Sequence, residues 1–508
     1  MIATLKSTTP QLEELKTRVT EIYDINAAVS VLYWDQSTYM PSGGAGARGR
    51  QMALLRQIAH QKLTDPSLGQ LLADLQTQEK TWDYSSPEAS LIRLTYRNYQ
   101  RAIQVPGDFV ARFSAHRSRC YEAWAKAKEE DNFALVQAEL EKNLDFTRQY
   151  ANFFSGYDHI ADPLIEEVDY GMTTATLRPL FAQLRKELVP LVEAISSCPP
   201  LDVSCVQQGF DRQKQLQFTL NLLRQVGYDF YRGRQDESLH PFTTSFSIDD
   251  VRITTRVREN DLTEALFSTI HEMGHAFYEQ GLDRTLEGTP LAEGTSAGVH
   301  ESQSRLWENL VGRSPEFWQY FYPQLQEMFP EQLKPVSLDT FYRAINRVER
   351  SLIRTDADEV TYNLHVMIRF DLELELLEGA LEVRDLPDAW NARYQSDLGV
   401  CPPSDRLGVL QDVHWYTSTL GAMFQCYTLG NIMSAQIYQA ALQDLPHLKD
   451  NIAQGDFAPL QNWLITHIYQ FGSVYTPLEL MQNVTGSDLK ITPFLDYIQQ
   501  KYRQLYDF

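Results

Sequence analysis

Cysteine is scarce in this chain, which has five in 508 residues and no C-x-x-C pair. The five are Cys120, Cys198, Cys205, Cys401 and Cys426. An odd number of scattered cysteines argues against a disulfide framework and fits a reducing compartment. Residues 1–15 also lack the apolar stretch of a secretory signal. We therefore expect a cytoplasmic protein.

Positive charge is scarce as well. The chain has 45 Lys and Arg against 67 Asp and Glu, which gives a formal net charge of −22. Binding to nucleic acid needs a basic surface, and no cluster of Lys and Arg in the sequence would supply one. The charge balance predicts a soluble, acidic surface and argues against a nucleic-acid partner.

Long uninterrupted apolar runs are missing too. Residues 413–443 contain no charged side chain, but glycines and polar residues interrupt this stretch. A membrane-spanning helix needs about 20 predominantly apolar residues. We interpret 413–443 as buried structure that lines a site, and we expect no association with a membrane.

Helical periodicity is the dominant pattern, because apolar residues recur at steps of three and four along most of the chain. The predicted helical segments are approximately 12–22, 87–104, 135–154, 178–197, 213–226, 262–280, 296–311, 340–380, 420–443 and 457–470. Pro190 is expected to kink or end its segment. Residues 240–257 differ, because two runs rich in β-branched residues flank a turn at Asp249-Asp250 and predict a β-hairpin.

The sequence shows no internal repeat and no strong linker. Residues 196–204, with their Pro-Pro pair, are the best candidate for a hinge. The overall pattern therefore predicts a mainly α protein with a small β-sheet, organised as one domain over residues 1–508.

The most specific motif is H-E-x-x-H, formed by His271, Glu272 and His275 on a predicted helix. Histidines four residues apart leave one face of a helix about one turn apart, as two ligands of one zinc ion require. Glu272 is then positioned to take a proton from a water molecule on the metal. The competing interpretation is a pair of core or solvated histidines beside an incidental Glu.

A catalytic zinc site needs a third protein ligand. A third His in the metzincin pattern is excluded, because Tyr278 and Gly281 occupy the positions that this pattern fixes. The candidates are therefore Glu279, Glu287, Glu293 and Glu301. We favour Glu301, which follows His275 by 26 residues, enough for a loop and an antiparallel helix. The alternative for Glu301 is a surface ion pair with Arg305 at i+4.

Further motifs give the chain a wider resemblance. They are W-D-Q-S-T-Y-M-P at 34–41, H-P-F at 240–242, D-x-R-x-T at 250–254, H-E-S-Q at 300–303, I-R-x-x-A-D at 353–358 and G-x-x-Q-D-x-H-W at 408–415. With H-E-x-x-H, these motifs occur in an order that resembles the carboxypeptidase Taq family of metallocarboxypeptidases over nearly the full length of the chain.

The resemblance implies a mainly helical, two-lobed fold with a deep central groove, similar to neurolysin-type peptidases, and a homodimer. It implies removal of single residues from the carboxyl end of peptides, with broad preference and poor cleavage at proline. It places the metal ligands on His271, His275 and Glu301, and the general base on Glu272. Zinc suits these donors, and Co²⁺ or Mn²⁺ could replace it.

The resemblance also implies donors to the oxyanion of the tetrahedral intermediate. His414 and Tyr427 are the candidates, although Gln425 stands where family members often carry Pro. The competing interpretation is that His414 is a core histidine and Tyr427 ordinary packing.

An exopeptidase must bind a free carboxylate, and Arg is suited to this task because its planar guanidinium binds both oxygens. Arg354 is the first candidate and Arg252 the second. The competing interpretation is a structural ion pair, of Arg354 with Asp356 or Asp358, and of Arg252 with its neighbouring Asp250.

Two further expectations concern the surroundings of the metal. His240 is expected to line the groove and bind substrate rather than metal. Carboxylates should orient the second nitrogens of His271 and His275, and Asp356 and Asp358 are possible partners.

Two other functions compete with carboxypeptidase activity. An oligopeptidase of the same helical class would cut peptides internally and would not need a free carboxyl end. A non-catalytic relative would keep the fold, but it would have no need of Glu272.

Overall fold

The computed structural model describes residues 9–508, and about 67% of the chain is helical. The α-helices are α1 (Pro10–Thr38), α2 (Ala45–Leu63), α3 (Pro66–Glu79), α4 (Pro87–Gln104), α5 (Gly107–Glu129), α6 (Ala134–Ala151), α7 (Asp162–Val168), α8 (Thr174–Ser196), α9 (Arg212–Val226), α10 (Leu262–Gln280), α11 (Ala297–Arg305), α12 (Pro315–Met328), α13 (Pro330–Leu333), α14 (Leu338–Ile345), α15 (Tyr362–Glu378), α16 (Leu386–Leu398), α17 (His414–Thr417), α18 (Phe424–Asp444), α19 (Leu448–Ala453), α20 (Ala458–His467), α21 (Pro477–Thr485) and α22 (Thr492–Tyr506). The prediction of a mainly α protein is confirmed.

Three short strands form a single sheet in the order β1-β3-β2. They are β1 (Gln235–Glu237), β2 (Thr243–Ser247) and β3 (Asp250–Thr255). Strand β2 runs antiparallel to β3, with Thr243 opposite Ile253, and β1 runs parallel to β3. The predicted hairpin is therefore confirmed. Strand β1 was not predicted, because Gln-Asp-Glu has neither β-branched residues nor an apolar alternation.

The predicted helix over 340–380 is wrong. Helix α14 ends at Ile345 and α15 begins only at Tyr362. Between them, the Asp358 carboxylate accepts the backbone N–H groups of Val360 and Thr361 at 2.9 and 3.0 Å. A short acidic side chain that binds nearby backbone donors competes with helical hydrogen bonds, and this competition interrupts the apolar period.

Pro190 does not end its helix, although the sequence analysis expected it to kink or end the segment. Helix α8 continues past Pro190 to Ser196. The apolar face of α8 remains buried on both sides of the proline, at Leu188 and Leu191. Tertiary packing of that face outweighs the loss of one backbone hydrogen bond.

The chain divides into two compact units, each built from three separate segments. Unit 1 comprises residues 9–103, Asp202–Ile345 and Met433–Leu489. Unit 2 comprises Gln104–Leu201, Asn346–Ile432 and Lys490–Phe508. The sequence did not reveal this division, because the chain passes from one unit to the other mostly at positions without the runs of Pro, Gly and Ser residues typical of linkers. One of these positions, after Leu201, follows the Pro-Pro pair.

Within unit 1, α10 and α11 approach very closely at Gly274. A Cβ atom on Gly274 would lie 2.6 Å from both the carbonyl oxygen of Gln303 and the Cα of Ser304. Only glycine permits this approach of two backbones. The predicted buried positions of α11 and its continuation, Val299, Ser302, Leu306 and Leu310, are at most 5% exposed.

The uncharged stretch 413–443 forms α17, a turn and most of α18. Most of its apolar residues are buried, and so are polar ones such as Gln425 and Asn431. The prediction that this stretch is buried is confirmed. Within residues 9–508, no helix combines the length and apolar character needed to cross a bilayer.

Candidate metal centre

Helix α10 sets the spacing of the two histidines. Its first turn is capped by Asp261, whose carboxylate accepts the backbone N–H of Thr263 at 2.9 Å, and Gly281 is its C-terminal cap. His271 and His275 lie one turn apart, with ring centroids separated by 5.0 Å. Both rings therefore project to the same side of α10.

Helix α11 supplies the third donor. The Oε2 atom of Glu301 lies 3.6 Å from Nε2 of His271 and 3.4 Å from Nε2 of His275. Tetrahedral zinc with bonds of about 2.0–2.1 Å separates its ligand atoms by about 3.3 Å. The two measured distances are close to this spacing, so the three donors could hold one small divalent cation, and a set of three protein ligands would leave the fourth tetrahedral position for water or substrate.

Within residues 9–508, these three side chains are the one group of three or more potential ligands that converges in this way. The other carboxylates considered from the sequence lie outside it. Glu287 accepts the backbone N–H of Ile248 at 2.9 Å, and Glu279 lies 2.7 Å from Nε2 of His300.

Glu301 also pairs with Arg305, but this pair is largely buried and is not the surface ion pair considered as the alternative. Nε of Arg305 donates to Oε1 of Glu301 at 2.6 Å, while Oε2 faces the histidines. Burial raises the pKa of Glu301, but Arg305, His271 and His275 together outweigh it and hold this pKa well below its usual value. Glu301 is therefore ionised, as a metal ligand must be.

Glu272 lies beside the ligands and is 6% exposed. Its Oε2 atom is 2.7 Å from Oγ1 of Thr243, the first residue of β2. Burial raises the pKa of Glu272, although His271 and Thr243 oppose the shift. A carboxylate with a raised pKa and a fixed orientation is suited to accept a proton. The sequence did not identify Thr243 as its partner.

The second ring nitrogens of the histidines contact groups that the sequence analysis missed. Nδ1 of His271 lies 2.9 Å from Oε2 of Glu308, and Nδ1 of His275 lies 2.6 Å from Nδ1 of His300. The expectation that Asp356 or Asp358 would orient them is therefore wrong. Glu308 follows Glu301 by seven residues, a spacing that returns to the same helical face and could have revealed it.

Glu308 belongs to a π-helical continuation of α11, Leu306–Val311. Its carboxylate also forms ion pairs with the guanidinium groups of Arg305 at 3.0 Å and Arg313 at 3.4 Å. Burial raises the pKa of Glu308, but Arg305 and His271 outweigh it and lower this pKa to about 2. An ionised carboxylate is thus held against His271 by two guanidinium groups.

In unit 2, Arg354 is 6% exposed and pairs with Asp412, with Nη2 and Oδ1 2.8 Å apart. The carboxylate in this ion pair is therefore that of Asp412 and not that of Asp356 or Asp358, the partners considered from the sequence. Arg369 approaches the same carboxylate at 2.5 Å, through Nε and Oδ2. One buried carboxylate therefore faces two guanidinium groups, and the cluster retains an excess of positive charge.

His414 and Tyr427 belong to the same cluster. Nδ1 of His414 lies 3.8 Å from Oδ1 of Asp412, and the Arg354 guanidinium lies 5.3 Å from the centre of the Tyr427 ring. Burial lowers the pKa of His414 to about 4, although Asp412 opposes the shift. The motifs I-R-x-x-A-D and G-x-x-Q-D-x-H-W thus meet at Asp412.

Arg252 and His240 lie in unit 1. Arg252 donates through Nε and Nη2 to both oxygens of Asp250 at 2.8 Å, so the structural ion pair expected as its alternative is formed. Its guanidinium also stacks over the Trp34 ring at 4.4 Å, which connects the amino-terminal motif to the sheet. His240 is exposed in the loop before β2 and lies outside the ligand group.

Comparisons with known proteins identify the family of this chain. The family model for carboxypeptidase Taq (M32) metallopeptidase matches residues 14–502. Carboxypeptidase 1 of Bacillus subtilis is 36% identical over 501 residues, covering 97% of this chain and 99% of the relative. Thermostable carboxypeptidase 1 of Thermus thermophilus is 40% identical, with coverage of 93% and 94%.

A solved structure gives the same result in three dimensions. The M32 carboxypeptidase from Deinococcus radiodurans R1 superposes with a TM-score of 0.96 at 45% identity, covering 98% of this chain and all of that one. The family match and the full-length relatives together establish that this chain belongs to the carboxypeptidase Taq (M32) metallopeptidase family.

Proposed function

We propose that the chain hydrolyses the carboxyl-terminal peptide bond of peptides, with His271, His275 and Glu301 as metal ligands and Glu272 as general base. The observation that carries the proposal is the convergence of three donors: one Glu301 oxygen lies within 3.6 Å of an imidazole nitrogen of each histidine, and all three atoms lie within 4.8 Å of one another. Two neutral nitrogens and one anionic oxygen form a donor set that suits Zn²⁺, and Co²⁺ or Mn²⁺ fit the same donors.

A divalent cation held by these donors supplies positive charge that polarises the scissile carbonyl and lowers the pKa of water. Glu272 takes the proton of the attacking water and passes it to the nitrogen of the leaving amino acid. Thr243 holds the Glu272 carboxylate from the β2 side during this transfer. The buried position of Glu272 keeps bulk water from competing for the proton.

We assign recognition of the substrate carboxylate to Arg354 first. Support comes from the excess positive charge of the Arg354–Arg369–Asp412 cluster, because a buried anion of the substrate would balance it. His414 and Tyr427, which share this cluster, are proposed as donors to the oxyanion. Arg252 and His240 remain secondary candidates for contact with the peptide.

Three broader properties complete the proposal. A cytoplasmic location is proposed from the sequence, because its five cysteines are odd in number and scattered, as in proteins of reducing compartments. A homodimer is expected from the resemblance described above, and light scattering of the purified protein tests it. Zinc as the resident metal is tested by elemental analysis of protein purified without added metal.

The decisive experiment compares Glu272→Gln with the unaltered protein. We expect the variant to retain the metal, because Glu272 is not a ligand, and to lose at least about 100-fold in kcat. Elemental analysis measures the metal and stepwise peptide shortening measures the activity. Full activity in a metal-loaded Glu272→Gln protein would contradict the proposal.

The same assay separates exopeptidase from endopeptidase activity. A peptide with an amidated carboxyl end should resist cleavage, while its free-acid counterpart is shortened one residue at a time. Internal cleavage of the amidated peptide would instead favour the oligopeptidase alternative. A chelator should abolish the shortening in either case.

A further inference from the structure

The two histidine ligands are supported by different chemistry. Nδ1 of His271 contacts the Glu308 carboxylate at 2.9 Å, whereas Nδ1 of His275 contacts Nδ1 of His300 at 2.6 Å. The far nitrogen of His300, Nε2, lies 2.7 Å from Oε1 of Glu279. His275, His300 and Glu279 thus form a continuous chain of three side chains that leads away from the metal centre.

The hydrogen-bonding requirements of the metal site determine where the protons lie along this chain. His275 must offer the lone pair of Nε2 towards Glu301 and the cation, so its proton is on Nδ1. Nδ1 of His275 then donates to Nδ1 of His300, which must be unprotonated to accept. The His300 proton is consequently on Nε2, where it donates to Glu279. Both hydrogen bonds of the chain thus form while the two imidazoles are neutral.

The slot that holds the His300 ring is built into the fold of unit 1. A Cβ atom on Gly294 would lie 2.7 Å from Cδ2 of His300 and 3.0 Å from Cε1 of Tyr278. Tyr278 is fully buried and stacks on Tyr469, with ring centroids 5.1 Å apart. Backbone and rings therefore enclose His300 on this side, and its ring has little freedom to turn away from His275.

We propose that His300 and Glu279 are positioning residues for the metal: His300 holds His275 in its Nδ1-protonated tautomer, and Glu279 holds His300 in the complementary one. The inference rests on the proposed metal site. It assigns a role to the His of the H-E-S-Q motif, next to the ligand Glu301, and to Glu279, which the sequence analysis had considered only as a ligand. The group that contacts Nδ1 of His275 is then a neutral imidazole, whereas the group that contacts Nδ1 of His271 is a carboxylate.

The test measures the affinity for zinc by competition with a chromophoric chelator, using the full-length protein. His300→Leu removes the acceptor for His275, and we expect zinc to bind about 10- to 100-fold more weakly. His300→Asn places an amide oxygen near the position of Nδ1, and we expect it to recover most of that loss. Glu279→Gln should weaken binding less than His300→Leu, because His300 remains in contact with His275.

Two controls accompany these variants. His447→Asn alters a histidine whose side chain is 84% exposed, and it should bind zinc as the unaltered protein does. Spectra of the metal-free protein with selectively ¹⁵N-labelled histidine report the tautomers directly, and the Nδ1-protonated form of His275 should lose population in His300→Leu and keep it in His300→Asn. A purely structural role of His300 would not produce this difference between the two variants.

The possible outcomes separate this inference from the proposed function. If Glu301→Gln does not weaken zinc binding, the metal site itself is wrong. If Glu301→Gln weakens it while His300→Leu and Glu279→Gln stay within about twofold of the unaltered protein, only the positioning role is refuted. If His300→Leu fails to fold, as judged by circular dichroism, Glu279→Gln and the tautomer spectra decide, and unchanged values in both overturn the proposal.

Discussion

Replacement of Gly274 by Ala tests whether the contact between α10 and α11 determines the geometry of the metal centre. The added Cβ would lie 2.6 Å from backbone atoms of Gln303 and Ser304, about 0.8 Å short of an ordinary contact at 3.4 Å. These are backbone atoms, so a side-chain rotation cannot relieve the clash. One helix must move relative to the other, and Glu301 lies two residues before Gln303 on the helix that moves.

The size of the expected effect follows from the tolerance of metal bonds. Ligand distances in metal sites vary by about 0.2 Å, and a helix shift of about 0.8 Å exceeds this several-fold. We expect the affinity for zinc to fall at least about 10-fold, equivalent to about 1.4 kcal/mol. Overpacking should also destabilise the metal-free protein by about 1–3 kcal/mol.

The assay combines chelator competition for zinc with thermal unfolding of the metal-free protein. Gly46→Ala is a matched control, because Gly46 lies within helix α2 and a Cβ there has no neighbour within 4 Å. Helix propensity predicts that this control is neutral or slightly stabilising, by up to about 1 kcal/mol. If Gly274→Ala behaves like Gly46→Ala in both measurements, the argument from helix contact is refuted.

Two further predictions concern buried acids of unit 2. Asp412→Asn leaves Arg354 and Arg369 without a carboxylate, so it should destabilise the protein by about 3–5 kcal/mol, seen as a lower melting temperature; a melting temperature within a degree or two of the original would contradict this. Burial raises the pKa of Glu373 from 4.5 to about 8, so the folded state holds an extra proton between these values, and stability should fall as pH rises from about 5 to 9. In Glu373→Gln the amide can still accept the Trp415 N–H, which lies 2.8 Å from the Glu373 carboxylate. This variant should lack the decrease in the free energy of unfolding between pH 5 and pH 9, which amounts to up to about 5 kcal/mol. Melting temperatures of both proteins at pH 5 and pH 9 measure the difference, and parallel pH dependences would count against a raised pKa.

The sequence predicted those features that depend on local spacing. His271, Glu272 and His275 lie on one helix, and Glu301 lies on the following α-helix, so helical geometry and ligand chemistry together were enough to predict that these side chains converge. The helices over 87–104 and 262–280 were predicted with their observed bounds, because their apolar residues recur at helical spacing and each helix starts after a residue whose side chain accepts a first-turn N–H, Ser86 and Asp261.

The features that the sequence did not predict depend on contacts between distant segments. Thr243 reaches Glu272 from a strand, and Asp412 rather than a near neighbour pairs with Arg354. His300 was read only as part of a motif, because nothing in its spacing shows which ring it faces. The interruption at 346–361 was missed because the capping by Asp358 leaves no apolar or glycine signal in the sequence.

The alternation of the chain between its two units has a consequence for biosynthesis. All three proposed ligands have been translated once residue 301 is made, whereas the unit that carries them also includes Met433–Leu489. A growing polypeptide that ends before residue 433 thus displays the donors without the complete body that orients them. We therefore expect the proposed metal site to assemble only late in synthesis, and a fragment that stops before residue 433 to bind the cation more weakly than the full chain.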